Sequence, residues 1–98
     1  ALQTEGPKAI AVVVDRKGST PVKTGAIMCV NTLGQSFGTI GGGCGEHEVL
    51  RKALEVLSDK KDTFLSVDMT NDFAGEEGMV CGGTMDVIIR YVPGKVEI

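Results

Sequence analysis

A run of glycines that ends in a cysteine is the stretch of this sequence best suited to chemistry. The run is Gly41-Gly42-Gly43-Cys44-Gly45, and an amphipathic helix pattern begins directly after it, at Glu46. The first N–H groups of a helix lack intrahelical partners, and the helix dipole places partial positive charge beside them. Glycines let backbone amides turn toward a ligand without a Cβ in the way, so the run is suited to holding an anion. A sharp strand-to-helix turn that needs positive φ would explain the same glycines without any ligand.

The two familiar nucleotide-binding motifs are absent from this stretch. Gly38 and Gly43 have the spacing of a Walker loop, but Cys44-Gly45 stands where that motif requires Lys followed by Ser or Thr. Glu46 and Glu48 occupy the third positions that a GxGxxG fingerprint would need. The sequence therefore predicts neither an ordinary NTPase nor a dinucleotide-binding protein.

Cys44 is expected at or just before the start of the helix. Such a position favours the thiolate form of a cysteine, which suits a soft metal ligand or a group that handles sulfur. A small apolar side chain packed under the loop is the alternative. His47 follows three residues later, where a metal pair with Cys44 is conceivable, although a histidine in the first turn of a helix is more commonly a surface residue.

A second site of the same composition follows in Cys81-Gly82-Gly83-Thr84. The two glycine–cysteine loops could face each other across the ends of adjacent strands, so that Cys44 and Cys81 line one pocket. Two unrelated turns are the alternative. Because the chain has no CxxC pair, a structural zinc site is disfavoured. Cys29, inside a predicted strand, is expected in the core.

Length and composition exclude several classes of protein. The chain has 98 residues, which suits one domain over residues 1–98. Its net charge is −3, it has no basic run and it carries four aromatic residues, so nucleic-acid binding is disfavoured. No apolar run approaches the ~18 residues of a membrane span, and the first residues do not resemble a signal peptide. Three widely spaced cysteines favour reduced thiols and a cytoplasmic location.

Hydrophobic patterning predicts five strands and one main helix around these loops. The predicted order is β-β-β-α-β-β, an α/β (α+β) domain with one mixed sheet and the helix against one face. The acidic stretch 70–78 is expected to be a loop, and the edge strands could pair two chains into a homodimer. The expected strands are 9–14, 26–31, 36–40, 63–68 and 84–92, and the expected helix is 46–57.

Four motifs in fixed order make the sequence resemble a known family. They are Gly18-Ser19-Thr20-Pro21, Gly25-Ala26, Gly41-Gly42-Gly43-Cys44 with Glu46, and Gly78-Met79-Val80-Cys81-Gly82-Gly83-Thr84. Together they resemble the XdhC/CoxI family, accessory factors for xanthine dehydrogenase and related molybdenum hydroxylases. The resemblance covers about residues 9 to 92.

The resemblance implies a chaperone for the molybdenum cofactor (molybdopterin) rather than an enzyme. The cofactor would be bound as cargo, sulfurated with a partner cysteine desulfurase and delivered to a xanthine dehydrogenase-type molybdenum hydroxylase. Cys44 and Cys81 would contact metal or sulfur. The residues expected to bind the cofactor are Ser19, Lys23, Gly41, Gly42, Gly43, Cys44, Gly45, Cys81, Gly82 and Gly83.

The chain also departs from the family pattern. Val22 stands where many members carry Arg, with Lys23 next, and Gly45 stands where a large aliphatic residue is common. The usual C-terminal nucleotide-binding-like domain has no room here, so we expect a stand-alone version or a fragment. Two other functions stay open: a sulfurtransferase that carries a persulfide on Cys44, and a module that docks on the hydroxylase without a ligand.

Overall fold

The described residues of the protein form a main antiparallel sheet with one helix packed on it, together with a separate two-stranded sheet. The structure is a computed structural model and describes residues 6–18, 22–40, 45–69, 72–74, 79–81 and 83–94. The elements are β1 (Lys8–Lys17), β2 (Ile27–Asn31), β3 (Ser36–Gly38), α1 (Glu46–Asp59), β4 (Thr63–Asp68), β5 (Asp72–Ala74), β6 (Met79–Cys81) and β7 (Thr84–Val92). In the described part of the chain, no helix is both long and apolar enough to cross a bilayer.

The main sheet has the strand order β3-β2-β1-β7-β4. All of its neighbouring strands are antiparallel, so the predicted fold class and element order are confirmed, whereas the sheet is not mixed. Because every neighbouring pair is antiparallel, the sheet needs no crossover between parallel neighbours.

A small hairpin lies where the sequence predicted only a loop. β5 and β6 pair with each other as a separate two-stranded sheet. Each has three residues, too few to show the alternation by which a strand is recognised, and the surrounding glycines and acids indicated a turn instead. The loop prediction for residues 70–78 is wrong at β5, and β6 begins directly after the predicted loop.

The core lies between α1 and one face of the sheet. Along β1, Ala9, Ala11 and Val13 are fully buried, because alternate residues of a strand point to the same face. Small side chains on this central strand leave room for the helix, which buries Val49, Ala53 and Val56 at helical spacing. Further members of the core are Met28, Val30, Val67, Met85, Val87 and Ile89.

The helix ends two residues later than predicted. Lys60 adopts the left-handed conformation, with φ 59°, and its backbone N–H donates to the carbonyl oxygen of Val56 at 2.7 Å. This bond satisfies a carbonyl of the last turn and turns the chain into β4.

Candidate functional site

All three long connections of the main sheet meet at one end of it. β1, β3 and β4 end there, and β2, α1 and β7 begin there, as the strand registers require. The connections are residues 18–26, 39–45 and 69–83, and they contain the four sequence motifs except for Glu46, which is in α1, and Thr84, which is in β7. We call this the loop end and define it by its described residues Gly18, Lys23, Gly45, Met69 and Gly83.

Gly18 and Gly83 join two of the motifs by direct backbone contact. Both have positive φ, +87° and +91°. A Cβ on Gly18 would lie 2.7 Å from the Cα of Gly83, and a Cβ on Gly83 would overlap the carbonyl oxygen of Lys17. Neither position can accept a side chain without movement of the backbone. The two glycines therefore hold the residue after β1 against the residue before β7.

Met69 and Met85 connect the third motif to this contact. The backbone N–H of Met69 donates to the carbonyl oxygen of Gly83 at 2.9 Å. Gly45 packs directly on both methionines: a Cβ there would lie 3.1 Å from Sδ of Met69 and 2.6 Å from Cε of Met85. Both methionine side chains are fully buried. Gly45 thus stands where a large aliphatic residue would collide with the core, unless these methionines moved.

Glu46 ties the entry of the glycine run to the start of the helix. Its carboxylate accepts a hydrogen bond from the Thr39 hydroxyl and another from the backbone N–H of Ile40, at 3.1 Å. The helix begins after Gly45, which has φ 74° and offers no side-chain cap. Glu46 and Glu48 lie in the first turn, where they interact favourably with the helix dipole. An anion bound at the loop end would therefore lie near two carboxylates.

An open groove of about 300 Å³ lies beside the first turn of the helix. It is lined by Met28, Ser36, Glu46, His47 and Leu50. The sequence analysis did not predict it, because it forms between α1 and strands that are distant along the chain. His47 itself is exposed, as expected for a surface residue.

The structure describes only part of the predicted binding set. Gly45, Gly83 and Lys23 are at the loop end, and Lys23 is exposed there. Cys81 is described by its backbone, which pairs with Asp72. The remaining predicted residues, Ser19, Gly41, Gly42, Gly43, Cys44 and Gly82, lie outside the described residues. Whether Cys44 and Cys81 lie close together stays a prediction, as does their contact with metal.

Burial shows where two further residues of interest, Cys29 and Val22, lie in the fold. Cys29 is a free cysteine and is buried, which confirms that it is part of the interior. Val22 is fully buried in the main core cluster, so this position contributes packing, and the exposed positive charge is that of Lys23. Within the described ranges, no group of three or more His, Cys, Asp or Glu residues could hold a metal ion.

The fold and the loop end define a class of small α+β domains whose glycine loops gather at one end of an antiparallel sheet. Within that class, the chain belongs to the XdhC and CoxI family, whose model matches residues 1–68. The match covers more than half of the chain and includes the Gly18 and Gly41–Cys44 motifs.

Two relatives show how the domain occurs in longer proteins. The chain is 40% identical over 83 residues to the uncharacterized protein YqeB of Escherichia coli K12, a match that covers 85% of this chain and 15% of YqeB. Its structure matches a crystal structure from Bacillus halodurans described as a xanthine dehydrogenase, with a TM-score of 0.76 and 28% identity. That match covers 92% of this chain and 27% of the Bacillus chain. The chain thus spans well under a third of each relative.

Proposed function

We propose that this chain binds the molybdenum cofactor as cargo during the maturation of xanthine dehydrogenase-type molybdenum hydroxylases. The observation that carries the proposal is the meeting of Gly18, Gly45 and Gly83 at one end of the sheet in a member of the XdhC and CoxI family. A ligand held at this end of the sheet would give the three motifs, which are far apart in sequence, one shared role.

The chemistry of the loop end fits the cofactor in two respects. Molybdopterin carries a phosphate, which backbone amides at glycine loops and a helix start can bind. Lys23 adds an exposed positive charge at the same end. When bound, the cofactor would supply a molybdenum centre with soft sulfur ligands, and thiolates of Cys44 and Cys81 are the matching soft groups on this chain.

Glu46 decides where a phosphate can lie. Its carboxylate already accepts the Ile40 amide and the Thr39 hydroxyl, so these two donors face an acid rather than a ligand. A phosphate would be repelled from this side of the helix start and attracted toward the exposed Lys23 instead. We propose that Glu46 acts as a positioning residue that holds the first residues of the glycine run in place.

The partners follow from the same proposal. A cysteine desulfurase would supply sulfur to the bound cofactor, and the apo-hydroxylase would receive it. In this scheme the chain holds and orients the cargo and catalyses no step itself. Most of the length of the two relatives lies outside the region that matches this chain, so contacts with either partner need not lie within this domain.

The test is the amount of pterin that co-purifies with the protein from cells grown with molybdate. Oxidation converts the bound pterin to a fluorescent product, which is quantified per mole of protein. We expect Cys44→Ser and Cys81→Ser each to lower the pterin content at least several-fold. Cys29→Ser is the matched control, because Cys29 is a buried thiol away from the loop end, and we expect it to leave the content unchanged.

Two outcomes would contradict the proposal. If the wild-type protein carries no pterin under these conditions, the chain does not bind the cofactor by itself. If both cysteine variants retain as much pterin as the wild type, the thiols take no part. Mass spectrometry of Cys44 after incubation with a cysteine desulfurase and cysteine tests the alternative function, a sulfurtransferase. One added sulfur atom on Cys44 would indicate that this residue carries a persulfide.

A further inference from the structure

The face of the sheet opposite the helix is apolar and exposed. We call it the open face; its apolar residues are Ile10, Val12, Ile27, Phe37, Phe64 and Ile88, with the buried Cys29 at a register position between Ile10 and Phe37. Four of the seven large hydrophobic residues that are exposed in the described part of the chain belong to it, namely Ile27, Phe37, Phe64 and Ile88. Exposed apolar side chains gathered on one surface indicate a site of contact with another molecule.

The registers arrange these side chains in two rows that cross the sheet. In one row, Phe64 lies opposite Ile88, Ile88 opposite Val12, and Val12 opposite Ile27. In the next row, Ile10 lies opposite Cys29, and Cys29 opposite Phe37. The rows run without interruption over four and three strands, so the apolar area is continuous across the middle of the face.

The two ends of the open face carry opposite charge. Lys8 and Arg90 lie at one end, where Arg90 pairs with Asp62 at 3.1 Å and a net positive charge remains. The other end, beyond the bulge between Val13 and Asp15, carries Asp15, Asp68 and Asp86, with Lys17 beside them. A surface that is apolar in its middle and charged oppositely at its two ends is complementary to itself under a twofold rotation.

We propose that the open face is the interface of a homodimer, in which two sheets pack face to face about a twofold axis. The axis passes through the apolar rows and places Lys8 of one copy over the acidic end of its partner. Such sheets pack about 10 Å apart with their strands within about 30° of each other. The proposal concerns the face of the sheet, and it leaves the edge strands and the loop end exposed.

The small size of the face is typical of a weak dimer. Strands about 4.8 Å apart with about five residues each on the contact give a patch about 20 Å in each direction. This is at or below the roughly 800 Å² per partner of a standard interface, so we expect association in the micromolar range. Sedimentation equilibrium from low micromolar to submillimolar protein should show the mass rising from the 10.3 kDa monomer toward twice that value.

A matched pair of substitutions tests which surface is used. Ile88 is 36% exposed in the middle of the open face, and Leu54 is 39% exposed on the helix, in the opposite layer. We expect Ile88→Lys to raise the dimer dissociation constant at least tenfold, and Leu54→Lys to leave it unchanged. Phe64→Lys, at a residue 59% exposed on the edge strand β4, repeats the test if the first variant does not fold.

A charge exchange tests the twofold arrangement. Lys8→Glu places acid against acid across the axis, and Asp15→Lys places base against base, so each variant alone should dimerise more weakly. An equimolar mixture of the two restores both attractive contacts and should form the heterodimer. A chain that stays monomeric over the whole range, or a dimer unaffected by Ile88→Lys and Phe64→Lys, overturns the proposal. A dimer that responds to these but is not restored in the mixture overturns the twofold arrangement.

Discussion

The two ends of the sheet are closed in different ways. At the end opposite the loop end, which we call the hairpin end (residues 31–35 and 60–62), polar side chains close the turns. Asn31 Oδ1 accepts from the backbone N–H groups of Leu33 and Gln35, at 2.9 and 3.0 Å. Asp62 accepts from the N–H of Tyr91 at 2.7 Å and from Nε of Arg90 at 3.1 Å. At the loop end, bare backbone at Gly18 and Gly83 makes the contact instead.

This difference makes the backbone contact at the loop end harder to substitute than the hydrogen bonds at the hairpin end. A side-chain hydrogen bond at the exposed hairpin end contributes about 1 kcal/mol and can be replaced by another polar residue. A glycine contact cannot be replaced, because any Cβ would push the two connections apart. The described contact between Gly18 and Gly83 is therefore constrained more strictly than the hairpin end, which would suit the binding role proposed for the loop end.

The largest effect is expected from Gly83→Ala. The new Cβ would overlap the Lys17 carbonyl oxygen and would require an L residue at φ +91°. Overpacking and backbone strain together should lower the free energy of unfolding by about 4 kcal/mol. Chemical denaturation measures this loss.

Gly25→Ala is the matched control for that prediction. Gly25 has φ +93°, nearly the same as Gly83, but a Cβ there would meet nothing within 4 Å. It should cost about 1–2 kcal/mol, from backbone strain alone. Equal losses in the two variants would show that the Gly18–Gly83 contact does not hold the loop end together.

A smaller effect is expected from the methionine under the helix start. Met69 is fully buried and lies against Gly45, so Met69→Ala should leave a cavity and cost about 3 kcal/mol. Met69→Leu, which nearly conserves volume, should cost less than about 1.5 kcal/mol. A loss in the leucine variant as large as that in the alanine variant would contradict a packing role and would indicate that the thioether itself is needed.

The smallest effect is expected at the hairpin end. Asp62→Ala removes two hydrogen bonds that are both exposed, and should cost about 1 kcal/mol, or a fall in melting temperature of about 4–8 °C. Pterin content should not change in this variant, because Asp62 lies away from the loop end. A melting temperature lowered as far as that of Gly83→Ala would remove the proposed difference between the two ends.

Local pattern was sufficient to predict most of the fold. The predicted strands 63–68 and 84–92 coincide with the observed β4 and β7. They were predictable because both contain β-branched residues and an alternation of apolar and polar residues. β1 extends from Lys8 to Lys17, beyond the predicted 9–14, since pairing with β7 keeps the polar residues after Val13 in the strand. Pairing partners are a property of the whole chain, which is why the purely antiparallel arrangement was not predicted.

The candidate site was predictable in composition but not in geometry. The glycine-rich composition correctly drew attention to Gly45 and Gly83, which were predicted to give a ligand access to the backbone. In the structure, both glycines are needed because neighbouring atoms leave no room for a side chain. The contacts of Gly18 with Gly83 and of Gly45 with Met69 join residues far apart in sequence, and no periodicity signals them. The bonds of Glu46 to Thr39 and Ile40 were missed for the same reason.

The most direct test of the central claim, that the loop end is the binding end, is a map of amide chemical shifts with and without bound molybdopterin. The account predicts that the shifts of Gly18, Gly45, Met69 and Gly83 change, while those of Leu33, Gln35 and Lys60 at the hairpin end stay constant. Changes confined to the hairpin end or to the open-face residues Val12 and Ile88, with the loop end unaffected, would contradict it.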